Sequence, residues 1–590
     1  MNRFFKQRNV SKLLRKLLLA LSIIAVFAVL YDLGFSHSET RDLWLNGLYA
    51  LTLTAGILST IGRYRKADTP PRISVLVFDM ASIFFFLIVL GSLLDWFTFP
   101  VLFDILKGEG ANITAMLLVF VREYSALKID FRRTVLNPAQ LFILSFLVII
   151  LFGATLLVLP KATFTGISFI DALFTSTSAV CVTGLIVVDT GSYFTEFGQF
   201  IILIFIQLGG LGIMTFASYF SYFFQGGASY ENQLVLRDMT NSEKLGEVFS
   251  TLKRILVITF IIEALGALFI FFSIDSALIP SLSQRSFFAI FHSISGFCNA
   301  GFSTLPNGMY EEAFRFNYPM HLILASLYII GGMGFPIVFN LVKYIKHLVY
   351  KQLFIFFNKT RNNSRPWVIN LNTRIVLITS GILTVLGTVL FFAFEYNNTL
   401  AEHSYAGKWI VAFFNSTTTR TAGFNSIDMA QMRLPTIMVF LLLMWIGASP
   451  ASTGGGIKTS TIAIASLNFI SIAKGKDRIE IYRREISDVS VRRAFAIISL
   501  SLIIIGLATA ILVTTEEGIP LIKIAFECFS AYSTVGLSLG ITAGMSTAGK
   551  IVLMLVMFIG RVSMLSILIA LMTKIPYKNY RYPTEQLLIN

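Results

Sequence analysis

Cys181-Val182-Thr183-Gly184-Leu185 recurs in altered form three more times along the chain. The other copies read Cys298-Asn299-Ala300-Gly301-Phe302, Arg420-Thr421-Ala422-Gly423-Phe424 and Ser533-Thr534-Val535-Gly536-Leu537. Successive glycines are 117, 122 and 113 residues apart. Each motif follows a short apolar or hydroxyl-rich segment and lies between two long apolar runs. Repetition at so regular a spacing predicts four copies of one unit arranged around one axis.

Composition sets the environment of those units. The chain has 590 residues, 55% of them hydrophobic and 14% aromatic, with mean hydropathy +0.75. Several uncharged runs reach the roughly 20 residues a helix needs to cross a bilayer. The period-two alternation of a membrane barrel is absent. The expected fold is therefore an all-α polytopic membrane protein. It has four helix–pore loop–helix repeats in pseudo-fourfold order around one pore, preceded by about four extra transmembrane helices. The net charge of +15 comes from basic residues in short loops between spans. That pattern fits the positive-inside bias and argues against nucleic-acid binding. The three cysteines, Cys181, Cys298 and Cys528, fall in pore-loop segments and suggest packing rather than a disulfide framework.

The spans follow from hydropathy and loop charge. Residues 1–136 form an N-terminal extension with runs Lys16–Tyr31, Leu45–Ile61, Ile73–Phe97 and the short Asn112–Val121. No small-x-small cleavage site follows the first run, so it reads as an uncleaved span. Asp79 lies well inside the third span, whereas Asp95 stands near its end. The repeats are expected over 137–248, 249–371, 372–487 and 488–590. Their paired spans are Leu141–Leu159 and Phe197–Phe224, Ile255–Phe272 and Met320–Val342, Ile375–Phe394 and Pro435–Ile464, and Ala494–Val513 and Ile551–Met572. Basic residues gather between repeats at Lys343, Lys346, Lys351, Arg361 and Arg365. A second group is Lys474, Lys476, Arg478, Arg483 and Arg484, and the C-terminus carries Lys574, Lys578 and Arg581. With both termini cytoplasmic, every basic loop lands inside.

The motifs suit one kind of chemistry. Glycine permits backbone dihedrals that turn carbonyls inward and lets the chain approach an axis. A ring of such carbonyls replaces the water shell of an alkali cation. Short helices aiming their C-terminal ends at the centre favour positive charge there. The expected filter is Val182, Thr183 and Gly184, Asn299, Ala300 and Gly301, Thr421, Ala422 and Gly423, and Thr534, Val535 and Gly536. Arg420 precedes the third filter; it either braces the loop from behind or sits at the mouth.

These residues resemble a known family. Thr177-Ser178-Ala179-Val180-Cys181-Val182-Thr183-Gly184-Leu185, Gln207-Leu208-Gly209-Gly210-Leu211-Gly212, Thr419-Arg420-Thr421-Ala422-Gly423-Phe424-Asn425 and the closing Tyr580-Arg581-Tyr582-Pro583 are similar to the membrane subunit of Trk/Ktr/HKT K⁺ transporters. The bacterial Ktr/Trk type is the nearest in pattern, from about Asn137 onward. The resemblance implies K⁺ as the transported ion, because Gly184 stands where Na⁺-passing members tend to have serine; Na⁺ is a candidate activator. It also implies a homodimer with one pore per subunit, in a bacterial cytoplasmic membrane, on a cytoplasmic ring of nucleotide-binding Rossmann-type subunits.

Two further features concern flux. The second span of the third repeat is interrupted by Gly447-Ala448-Ser449-Pro450-Ala451-Ser452-Thr453-Gly454-Gly455-Gly456-Ile457-Lys458. A helix does not continue through that density of Gly and Pro. Irregular backbone at membrane depth must be buried or face water. The run reads as an intramembrane gating loop, or else as a loose helix end. The family has a gating loop at this position, with Gly and Ala where this chain has Ala451 and Gly454. Arg561, within the last apolar run, must face the interior. It either pairs with Glu263 or Glu527, or faces the pore below the filter, where the resemblance implies an electrostatic barrier.

No Walker A sequence, His/Cys cluster or nucleophile–base arrangement is present, so an enzyme is not expected. The nearer rival is a Na⁺- or H⁺-coupled secondary transporter, whose repeats would be inverted.

Overall fold

Away from water, only a helix satisfies every backbone N–H and C=O within one segment, and the long apolar runs form helices throughout. The computed structural model describes residues 2–35, 39–64, 73–94, 109–125, 138–224, 248–357, 369–562 and 567–568. Arg65, Lys66, Lys128, Arg132, Arg133, Arg361, Arg365, the C-terminal basic residues and Tyr580–Pro583 lie outside them.

The chain divides into two units. The first comprises residues 1–131 with 159–166. It holds α1 (Asn2–Gly34), α2 (Glu39–Tyr64), α3 (Ile73–Leu93) and α4 (Glu109–Ser125). Apolar residues from all four helices, among them Val29, Leu53, Phe86 and Met116, make its core. Asp79 is buried rather than lipid-facing: Tyr64 Oη donates to it at 2.5 Å, and Arg122 pairs with the same carboxylate. The run expected as the weakest, Asn112–Val121, is a helix of 17 residues, longer than its apolar stretch.

The second unit spans residues 132–158 and 167–590. Its helices are α5 (Pro138–Leu157), α6 (Phe169–Val180), α7 (Glu196–Phe224), α8 (Val248–Ser273), α9 (Leu282–Phe297), α10 (Tyr318–Met333) and α11 (Phe335–Phe357). They continue with α12 (Leu371–Glu395), α13 (Tyr405–Thr418), α14 (Leu434–Trp445), α15 (Thr459–Ala473), α16 (Asp488–Thr515), α17 (Leu521–Ser533) and α18 (Thr547–Val562). A small hairpin pairs Glu480–Ile481 with Arg484–Glu485 inside the basic loop.

The order first helix, short helix, glycine motif, second helix occurs four times. The packing makes it a ring. The second helix of each set lies against the short helix of the next: α7 on α9, α10 on α13, α14 on α17, and α18 back on α6. Lys550 of α18 closes the ring with an ion pair to Asp171 of α6 at 2.6 Å. The first helices turn apolar side chains outward, among them Phe260, Phe269, Ile382, Val385, Ile503 and Leu507. So large an apolar exterior suits lipid, not water. Among the described residues, six helices are long and apolar enough to cross a membrane, seven if a bent pair is one span.

Two second helices are broken. Leu434–Trp445 and Thr459–Ala473 flank the expected interruption at 447–458. The other break corrects the sequence expectation: Met320–Val342 is not one straight span. It turns by 107° between α10 and α11, at Gly334. Gly334 has φ +83°, a conformation that only glycine adopts freely, and Pro336 follows it. The last span, expected to run to Met572, is described as a helix only to Val562.

Candidate functional site

The four short helices end at Val180, Phe297, Thr418 and Ser533, directly before the glycine motifs. Beyond them the backbone alternates. Val182, Asn299, Thr421 and Thr534 have φ of 56°, 61°, 69° and 51°. Gly184, Gly301, Gly423 and Gly536 have φ of 90°, 71°, 77° and 93°. The left-handed conformation costs a non-glycine residue about 1–2 kcal/mol. Its recurrence at equivalent places in all four loops is a shared construction. Sign alternation in φ turns successive peptide planes alike, so that carbonyls fall on one side.

The N–H groups are occupied elsewhere. Thr183, Ala300, Ala422 and Val535 donate to the carbonyls of Ser178, Ser295, Thr418 and Ser530 at 2.8 to 2.9 Å. Hydroxyls of the short helices hold the next residues. Ser178 and Ser530 accept from the N–H of Gly184 and Gly536, each at 3.1 Å. Ser295 and Thr418 donate to the carbonyls of Phe302 and Phe424 at 2.7 and 2.8 Å.

The four loops meet. A Cβ on Gly184 would collide with the carbonyl of Ala300, and one on Gly423 with that of Val535. A Cβ on Gly536 would meet the carbonyl of Thr183, and one on Gly301 would stand 2.9 Å from that of Ala422. Each glycine thus faces the carbonyl preceding the glycine of the next loop, and the fourth returns to the first. Of the twelve residues expected to form the filter, the four glycines and Thr183, Ala300, Ala422 and Val535 make these contacts, and Val182, Asn299, Thr421 and Thr534 stand directly before them in the loops. A single cavity of about 510 Å³ opens above it and touches all four glycines. Asp189 and Asp428 line that cavity. Each also caps a helical turn, accepting from Ser192 N at 2.7 Å and from Ala430 N at 3.0 Å.

Below the cluster sits the interrupted segment. Cβ atoms on Gly454 and Gly455 would collide with the hydroxyls of Thr421 and Thr534, so the loop tip presses against two of the glycine-motif loops. Gly456 and Ala451 have φ of 67° and 58°. The segment is also tied to the bend in the second helix set. Ser449 N donates to Gly332 O at 3.0 Å, and Phe335 N to Ala451 O at 3.2 Å. Lys458 curls back, its Nζ donating to the carbonyls of Gly454 and Gly455 at 2.7 and 3.5 Å.

Arg561 is buried and joins the same place. Its guanidinium donates to Thr453 O and, at 2.6 Å, to Gly209 O. Neither carboxylate considered from the sequence pairs with it. Glu263 accepts from Gln207 Nε2 at 3.2 Å. Glu527 accepts from Ser538 Oγ at 2.5 Å, Leu539 N at 3.1 Å and Thr542 Oγ1 at 2.9 Å. The position has its own logic. Close-approach glycines recur in the second helices: Cβ atoms on Gly209, Gly331 and Gly560 would strike the carbonyls of Val180, Phe297 and Tyr532. The next residue is Gly210, Gly332 and, in the fourth helix, Arg561. One guanidinium takes the place of a small residue beside the glycine-motif loops.

Arg420 points away from the axis, donating to the carbonyl and hydroxyl of Ser380 on α12 at 3.3 and 3.0 Å. That is the geometry of a brace. Three further braces had no signal in the motifs themselves. His292 Nε2 meets Ser303 Oγ at 2.9 Å, Asn415 Nδ2 donates to Ser426 Oγ at 2.8 Å, and Glu527 holds the segment after Gly536. Each lies eight or nine residues before its glycine. That offset is the signal that could have found them.

The fold and this site define a polytopic helical membrane protein with four re-entrant segments converging on one axis. The TrkH family model, described as a cation transport protein, matches residues 111–581. Ktr system potassium uptake protein B of Bacillus subtilis is 36% identical over 451 residues, covering 76% of this chain and 95% of that protein. Its namesake from Vibrio alginolyticus is 36% identical over 433 residues, covering 72% and 90%. The potassium/sodium uptake protein NtpJ of Enterococcus hirae is 34% identical over 465 residues, covering 77% and 97%. The solved potassium transporter TrkH from Vibrio parahaemolyticus shares the fold, with TM-score 0.59, 16% identity and coverage of 91% of this chain and 99% of that one. The chain belongs to the TrkH family of membrane cation transporters, within the Trk/Ktr/HKT superfamily.

Proposed function

We propose that the protein takes up K⁺ across a bacterial cytoplasmic membrane by channel-like conduction through the four-walled filter. The observation carrying this reading is the closed circuit of glycines and carbonyls around one axis. Backbone carbonyls hold an alkali cation firmly enough to strip its water and weakly enough to release it. The names of the Ktr relatives, which are potassium uptake proteins, point to the same ion. The loop at 454–456, with Lys458 and Arg561, acts as the gate. Arg420 supports the third wall. In this reading the repeats occupy 137–248, 249–371, 372–487 and 488–590 after an extension of residues 1–136, with both termini cytoplasmic. The protein works as a homodimer, governed by a cytoplasmic nucleotide-binding subunit; the word "system" in the relatives' names fits a partner.

The test is tracer uptake by full-length protein in proteoliposomes. Uptake should follow the K⁺ electrochemical gradient and persist without a Na⁺ or proton gradient. An obligatory dependence on either gradient would replace conduction with coupled transport. Faster uptake on adding Na⁺ without a gradient would mark Na⁺ as an activator, the property suggested by the potassium/sodium name of the Enterococcus hirae relative.

The vestibule offers a separate check. Asp189 and Asp428 bring negative charge to the outer mouth, which raises the local cation concentration. Asparagine caps a helix as well as aspartate, so the double change to Asn leaves the turns intact. K⁺ uptake by that variant should fall on the order of threefold at low ionic strength. The deficit should vanish near 1 M salt, where the screening length is about 3 Å. A deficit that ignores salt would rule out the electrostatic account.

A further inference from the structure

The lower filter positions are Val182, Asn299, Thr421 and Thr534, and Asn299 alone among them carries an amide. An amide is donor and acceptor at once, so it can hold two neighbours. Thr453 Oγ1 donates to Asn299 Oδ1 at 2.9 Å, and Asn299 Nδ2 donates to Thr421 Oγ1 at 3.4 Å. Asn299 is fully buried, which strengthens both bonds by keeping water away. Space for the amide is made by the second helix: a Cβ on Gly331 would stand 2.7 Å from Oδ1. Thr453 is anchored at its other ends as well. Its N–H reaches Gly331 O at 3.4 Å, and its carbonyl accepts from Arg561. A line of contacts therefore runs from Arg561 through Thr453 and Asn299 to Thr421, joining the last helix and the loop to two filter walls.

From this geometry we propose that Asn299 is a positioning residue through which the filter reads the state of the intramembrane loop. With the loop seated, Thr453 pins the amide and the amide pins Thr421. With the loop withdrawn, the amide is released, and the second and third walls relax at their lower ring. The coupling acts in both directions, as any linkage must. A cation in the lower filter that draws Asn299 Oδ1 toward itself takes the acceptor away from Thr453, and so favours the withdrawn loop. Substrate thus promotes its own passage. The inference rests on the gating reading given above.

The test measures K⁺ and Na⁺ influx into proteoliposomes holding full-length protein, under matched gradients. Thr453→Val removes the hydroxyl and keeps the shape. K⁺ influx should rise, and the K⁺/Na⁺ influx ratio should change by about twofold to tenfold, the range of one hydrogen bond. Thr453→Ser restores the hydroxyl and should restore the wild-type ratio. Ser452→Ala removes a bond internal to the loop, from Ser452 Oγ to Ser449 O at 2.6 Å. It should raise influx without moving the ratio. In an Asn299→Ala background, Thr453→Val should change the ratio no further; should that background fail to fold, the Thr453 and Ser452 variants decide alone. A raised influx at unchanged ratio in Thr453→Val overturns the coupling and leaves the gate standing. So does a ratio shift in Ser452→Ala as large as in Thr453→Val. Influx at the wild-type level in both Thr453→Val and Arg561→Gln overturns the gate itself, and the coupling with it.

Discussion

Gly423→Ala all but abolishes K⁺ uptake while the protein still reaches the membrane at its normal level: that is the expected result for the smallest change possible in the proposed filter. Gly423 has φ +77°, and alanine in that conformation costs about 1–2 kcal/mol. Its methyl group would also collide with the carbonyl of Val535, on the neighbouring wall. The carbonyl can escape only by turning from the axis, which removes an ion ligand. Each 1.4 kcal/mol is about tenfold, so strain and lost coordination together should reduce uptake on the order of a hundredfold. Rescue of a K⁺-uptake-deficient bacterium, scored beside membrane abundance, measures it. Gly381→Ala is the matched control. Gly381 lies within α12, where a Cβ would meet nothing within 4 Å, and uptake should survive. Near-normal uptake by Gly423→Ala would remove the third wall from the filter.

Arg561→Gln should act in the opposite direction and raise K⁺ flux more than tenfold. A unit charge about 6 Å from a K⁺ ion costs roughly 3 kcal/mol at an effective dielectric of 20. The guanidinium also clamps the proposed gate, donating to Thr453 O on the loop and to Gly209 O on α7. Charged hydrogen bonds of this kind are worth about 1.5–3 kcal/mol each. Loss of the arginine leaves no buried carboxylate behind, since its guanidinium donates to backbone carbonyls, and so spares the fold the penalty of an orphaned charge. Glutamine keeps one donor but not the charge, and alanine keeps neither. Flux should therefore rise from wild type to Gln to Ala. Unchanged flux in both variants, at normal abundance, would end the role assigned to Arg561.

The convergence of the four glycine loops was legible because its requirements are local. A left-handed turn that leaves carbonyls free needs glycine wherever it occurs, and four glycines in register announce four such turns. The interruption at 447–458 was legible for the same reason, as no helix tolerates that run of Gly and Pro. The bend at Gly334 was not. Gly331-Gly332-Met333-Gly334-Phe335-Pro336 lies within an apolar stretch long enough for one span, and hydropathy counts length, not direction. What turns the chain there is the tertiary contact with Ser449 and Ala451, invisible in either segment alone. The partner of Arg561 was hidden in a different way. Opposite charges suggest themselves from a sequence, whereas the backbone carbonyls of Thr453 and Gly209 carry no residue-type signature. His292 and Asn415 stayed unread because a polar residue on a short helix gains its meaning only when the loop beyond folds back onto it.

The ion pair that closes the ring has a bearing on how the protein is made. Lys550 and Asp171 are 379 residues apart, and α6 waits for α18 until nearly the whole chain has been synthesised. At about 5–20 residues per second, the ribosome takes on the order of half a minute or more to supply the missing neighbour. Throughout that interval the first loop has nothing beside its Thr183 carbonyl on the Gly536 side. A chain cut short before α18 therefore carries all four glycine loops but lacks the helix that closes the ring on α6. The ring thus closes only when translation is all but complete.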